Sequence, residues 1–279
     1  MQIMNGVTWM PRFTRGELVA ALYVLGCVNG LSAKMILSVH QHGWVDAAAN
    51  TFDVSVIVIM ACVAGISLIL ADRSEVTLAD LVVALVLSLM MALPIGALSW
   101  LAVTMLSLYL LARPQTAERP PERRGAVILL AATVPMLWSR LVFDLFANFI
   151  LSVDAALVSR LLGTYRNGNM VQFADHSGTL VIFSSCSSLA NVSLALLCWV
   201  AISEFLGHQR RTEDVFWCLL TCLSVVAVNV LRISAMGLSS ANYQLLHSPP
   251  MEAVLNIILL ILIVSICVAG TRREIFARA

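Results

Sequence analysis

Hydrophobic and polar positions in this chain do not alternate with the short period of a strand or of a half-buried helix. They fall into long apolar blocks, most of them near the ~20 residues that cross a bilayer as helix, separated by short polar connections. The blocks run from about Leu18 to Leu37, Asp53 to Leu70, Thr77 to Leu111, Ala126 to Trp138, Ser187 to Phe205, Val215 to Leu231 and Met251 to Ala269. Thr77 to Leu111 is too long for one helix, and Pro94 and Gly96 interrupt it, which predicts a tight hairpin of two short spans, Thr77 to Leu93 and Ile95 to Leu111. The pattern therefore predicts about eight transmembrane helices. The first block is long for a signal-peptide core and lacks a small-residue cleavage site, so it reads as a retained span.

The connections differ in kind. His40 to Asn50 is polar, and Arg73 marks a short loop. Ala112 to Gly125 (ARPQTAERPPERRG) is the clearest linker, with four arginines and three prolines. Beyond Trp138 apolar residues mix with Arg140, Asp144, Asp154 and Arg160, and Ala155 to Leu162 has the amphipathic pattern of a helix lying along the interface. Gly163 to Gly178 is turn-rich and predicts a hairpin or ordered loop.

Composition agrees with lipid as the main solvent: 60% of residues are hydrophobic and 12% charged, where soluble domains carry about a quarter charged. Continuous runs rather than short alternating strands exclude a closed barrel. The fold class is thus all-α and polytopic, with an extracytoplasmic amphipathic helix and loop. It forms one integral-membrane domain over 1–279: N-terminal spans to 111, a cytoplasmic Arg/Pro-rich loop 112–125, and a core 126–279. A net charge of +1 gives no reason to expect a nucleic-acid partner.

The placement of positive residues says more than their sum. With both ends inside, the inner side collects Arg12, Arg15, Arg73, Arg113, Arg119, Arg123, Arg124, Arg210, Arg211, Arg272, Arg273 and Arg278, twelve of the 17 basic residues. Lys34, Arg140, Arg160, Arg166 and Arg232 remain outside or at its margin.

Six of the seven cysteines lie in apolar runs, and no CxxC or Cys/His ligand spacing occurs, so neither a metal site nor a cofactor is expected. Cys186, in FSSCSSL, is the exception. It stands at the predicted start of a span, where backbone N–H groups and the helix dipole favour a thiolate and can donate to an oxyanion. Arg232 ends the next span, with Asn229 three residues earlier on the same helical face. His247 precedes Pro249 and Pro250 at the entry to the last span, placed to act as general acid/base. His176, ten residues before Cys186, is a rival base. Ser184, Ser185, Ser187 and Ser188 fit capping or close helix packing, and a serine nucleophile lacks an obvious buried carboxylate partner.

Taken together, CSSL at Cys186 to Leu189, the Asn229/Arg232 pair and His247, in that order and on one face, resemble the exosortase/archaeosortase family of integral-membrane enzymes. The likeness extends over roughly Gly125 to Gly270, with one departure: Ser188 stands where that family usually has glycine. The resemblance implies a thiol protease or transpeptidase in a Gram-negative-type inner membrane, its catalytic Cys186, Arg232 and His247 facing the periplasm. It implies membrane-anchored protein substrates with a C-terminal sorting signal (a Pro-Glu-Pro-like motif, a span and a basic cluster), a glycan or lipid amine as acceptor, and an exopolysaccharide setting. The competing classes are a polytopic transporter and a non-catalytic part of an exopolysaccharide assembly system. Transporters tend to place ionisable groups at the midplane of facing spans, and here Lys34, Asp144 and Glu204 all fall near predicted span ends.

Overall fold

A computed structural model describes residues 13–49, 51–113, 120–209 and 211–272. Arg12, Arg119, Arg210, Arg273 and Arg278 lie outside the described residues. Among the described residues, ten α-helices follow in chain order: α1 (Arg15–Ala49), α2 (Val56–Ile69), α3 (Leu78–Ala92), α4 (Gly96–Ala112), α5 (Pro121–Thr133), α6 (Ser139–Leu162), α7 (Ser188–Leu206), α8 (Glu213–Met236), α9 (Ser240–Leu246) and α10 (Pro249–Gly270). Between α6 and α7 lies a small antiparallel sheet of β1 (Arg166–Asn167), β2 (Met170–Gln172) and β3 (Thr179–Val181) in the order β1-β2-β3. Among the described residues, five helical stretches are long and apolar enough to cross a membrane, and α2, α3 and α4 are shorter apolar helices. Apart from that sheet the described residues fold into helices and short connections, with the build of a multi-pass membrane protein.

Local chemistry sets the boundaries. Thr77 caps α3 in a reciprocal capping box with Asp80. Pro94 separates α3 from α4 as the sequence predicts, and Asn29 of α1 donates to the carbonyls of Met91 (2.8 Å) and Leu93 (2.7 Å) exposed there. Other boundaries differ from the sequence reading. The expected connection from His40 to Asn50 is largely helix, because α1 continues past Gln41 and bends at Gly43 (φ 79°). The linker expected to run to Gly125 gives way at Pro121 to α5, since proline suits a first helical turn. Arg123 and Arg124 are therefore helical. The fifth span does not stop at Trp138: Val134–Trp138 forms a π turn that passes directly into α6. Pro135, without an N–H to give, accounts for the altered bonding. Ahead of α2, Thr51, Phe52 and Asp53 all have φ between 52° and 56°. Three non-glycine residues in the left-handed region cost about 1–2 kcal/mol each.

Packing sorts the helix ends into two groups. At one end Arg15 is buried and forms ion pairs with Asp72 (3.4 Å), Asp80 (3.1 Å) and Glu122 (2.8 Å), while Arg113 also reaches Asp80. The starts of α1, α3 and α5 and the ends of α2 and α4 are thereby gathered. Arg124 adds the end of α7 by donating to the carbonyls of Glu204 (2.6 Å) and Phe205 (2.8 Å). The α2–α5 crossing is backbone-close: a Cβ on Gly125 would stand 2.6 Å from the Gly65 carbonyl oxygen. Small residues at such crossings let helices associate where lipid supplies no hydrophobic drive.

The main core runs through α1–α5, α7, α8 and α10. A second, smaller one joins Ala155 and Val158 of α6, Val171, Phe173, Leu180 and Ile182 of the sheet region, and Val230 and Ile233 of α8. The segment expected to be amphipathic buries that face on the sheet, whereas Leu145, Phe146 and Phe149 earlier in α6 are exposed. This second core seats the turn that carries Cys186.

Candidate functional site

Cys186 ends a single 3-10 turn, Ser184–Cys186, and Ser187 is the N-cap of α7. The thiol thus sits just ahead of the helix rather than in its first turn. The expectation of free N–H groups here is corrected by the bonding. The amides of Cys186, Ser187, Ser188 and Leu189 donate to Phe183 O (3.0 Å), Ser184 O (3.2 Å), Asp154 Oδ2 (3.1 Å) and Ser187 Oγ (3.3 Å). Asp154, buried in α6, occupies the positive end of the α7 dipole. The sequence reading noted its charge and missed its place: a carboxyl buried beside this serine-rich turn, where no carboxylate partner was obvious. The only signal was an acidic residue on the otherwise apolar face of an amphipathic segment.

From the other side α8 holds the turn. The buried Asn229 donates to the Cys186 carbonyl (2.8 Å) and to Ser188 Oγ (3.0 Å). The serine that stands in place of a glycine is therefore engaged as a tether. Helix α8 extends to Met236, so Arg232 lies inside its last turns instead of capping it. It stands three residues after Asn229 and directly before Ile233. Its side chain is half-buried.

His247 ends α9, its ring stacked on Tyr243 with centroids 5.3 Å apart and planes 17° off parallel. Cys186 and His247 line one cavity of about 100 Å³, with Phe183, Ile233, Met236 and Tyr243 among its other walls. The loop expected between Gly237 and Pro250 folds as α9, and this places the imidazole over the turn. His176 does not line that cavity. It sits exposed in the β2–β3 turn with φ 60°, beside Asp175, whose carboxyl is held below its ordinary range by the Ser177 hydroxyl and N–H.

The other six cysteines are free thiols within the bundle, and Cys27 and Cys62 approach to 3.7 Å. Only Cys186 stands on a polar turn facing a cavity. Among the described residues, no group of three or more His, Cys, Asp or Glu side chains has the arrangement to hold a metal ion. The chain matches no protein-family model, no curated protein and no solved structure.

Proposed function

We propose that the chain is an exosortase-like membrane cysteine peptidase or transpeptidase that cleaves C-terminal sorting signals of exported proteins. The observation that carries this reading is the shared cavity of Cys186 and His247, on a turn that Asn229 anchors to α8. The Cys186 sulfur attacks the scissile carbonyl carbon, and its proton passes to the His247 imidazole. The amides of Cys186 to Leu189 are engaged, so Arg232, next to the cavity-lining Ile233 on α8, is the donor assigned to the developing oxyanion. Collapse breaks the C–N bond, the imidazolium returns the proton to the leaving amine, and a thioester remains. Water, or an amine on a glycan or lipid, then displaces the sulfur.

In this reading α1–α5, α7, α8 and α10 make eight crossings of an inner membrane, with the turn on the periplasmic side. Supporting it, the arginine-rich ends gather at one end of the bundle and the Cys186 turn belongs to the other. Helices α2, α3 and α4, of 14, 15 and 17 residues, span about 21–26 Å against a hydrocarbon core of about 30 Å, so the bilayer thins around them.

The test is co-expression with a tagged exported protein ending in a Pro-Glu-Pro-type motif, a span and a basic cluster. Wild type yields the shortened product, Cys186→Ala accumulates precursor, and mass spectrometry of the wild type detects a thioester on Cys186. Equal processing by Cys186→Ala returns the chain to the transporter or scaffold class.

A further inference from the structure

A second and larger cavity, about 550 Å³, lies on the other side of the same turn. Ser184 and Ser187 line it together with Lys34 of α1, Asp53 of the left-handed turn, and Arg140 and Asp144 of α6. Two cations from helices far apart in sequence thus face one space. Among the described residues, Lys34 donates only to the Asp53 backbone carbonyl (3.3 Å). Arg140 makes no hydrogen bond or ion pair among the described residues, although Asp144 lies one helical turn away. Like charges brought into one partly desolvated cavity repel, and an anion between them reverses the sign of that interaction. Serine hydroxyls at the same wall supply neutral donors, and a guanidinium is suited to grip two oxygens at once.

We infer that this cavity is a binding subsite for a single anionic group, a carboxylate or a phosphate, held between Lys34 and Arg140 against the Ser184–Ser187 turn. The two aspartates offset the cations in number, so the site disfavours a polyanion. The subsite stands independently of the peptidase reading, because binding there requires no chemistry at sulfur.

The test uses the full chain purified in neutral maltoside detergent. One arm measures retention of dioleoylphosphatidylglycerol by native mass spectrometry. The other measures binding of a capped peptide containing one glutamate, with its glutamine counterpart as control. Retention of the lipid assigns the group to a headgroup phosphate, and preference for the glutamate peptide assigns it to a carboxylate. In either case Lys34→Gln/Arg140→Gln weakens binding by about tenfold or more, while the charge-keeping Lys34→Arg and Arg140→Lys variants, and Cys186→Ala, retain it. Melting curves identify variants that fail to fold, and for those the charge-keeping pair alone decides: binding lost in both overturns the subsite. Binding to neither probe, or binding unchanged in a folded double variant, overturns it as well.

Discussion

The two ends of the bundle hold similar charges and treat them in opposite ways. At the end where α1 begins, Arg15 and Arg113 meet Asp72, Asp80 and Glu122 in ion pairs, with Arg15, Asp80 and Glu122 buried. At the other end Lys34, Arg140, Asp53 and Asp144 line an open cavity, and no ion pair among the described residues joins them. Charges that neutralise one another in place fix helix ends, and removing one leaves its partners buried without compensation. Charges held apart around a space are available to something that enters it. Under the proposed function, structure belongs to one end and chemistry to the other.

The largest effect that would sharpen this division is at the sulfur. Cys186→Ala is expected to lower signal cleavage at least about ten-thousandfold without shifting the melting temperature, as gel assays and thermal scans can show. Next is Arg15→Met, which leaves two aspartates and a glutamate facing one another and is expected to cost about 3–5 kcal/mol of stability. Arg140→Met, at the other end, is expected to stay within about 0.5 kcal/mol of wild type. A comparable loss in both would erase the distinction.

Asn229→Ala comes third. It strands the Cys186 carbonyl and the Ser188 hydroxyl, at about 1–3 kcal/mol, and slows cleavage through a misplaced turn, whereas Ser188→Gly removes one of the two holds and slows it less. Smallest is the sheet edge. The Asp175 carboxyl is depressed by Ser177, so its contribution is complete above the ordinary aspartate range near ~3.9 and fades as pH falls through the depressed value. Carbon NMR of that carboxyl across an acid titration checks the direction, and processing rates are expected to be unaffected.

Much of the helical layout was legible because lipid imposes a simple rule: long apolar blocks must be helices. Pro94 marked its hairpin, and α7 and α8 began within a residue or two of where the pattern placed them. Connections were harder. Nothing in the polarity of His40 to Asn50 shows that the helix continues, and Pro121 reads equally as a linker residue or a first-turn residue. The hairpin expected within Gly163 to Gly178 is there as β1 and β2, whereas the third strand, β3, was missed because three residues are too short to leave a pattern. At the site, residue types pointed to Cys186, Asn229, Arg232 and His247, but bonding is not a pattern in sequence. That Asp154 takes the Ser188 amide depends on how α6 packs against the start of α7.

Asn229 grips the turn, and Ile233 and Met236 of the same helix wall the small cavity, so one side of the sulfur's surroundings moves with α8. A helix of that length answers to the thickness of the bilayer by leaning. Under the proposed function, membrane composition reaches the reacting atoms in part through α8, and the lipid tunes the chemistry as well as dissolving the chain.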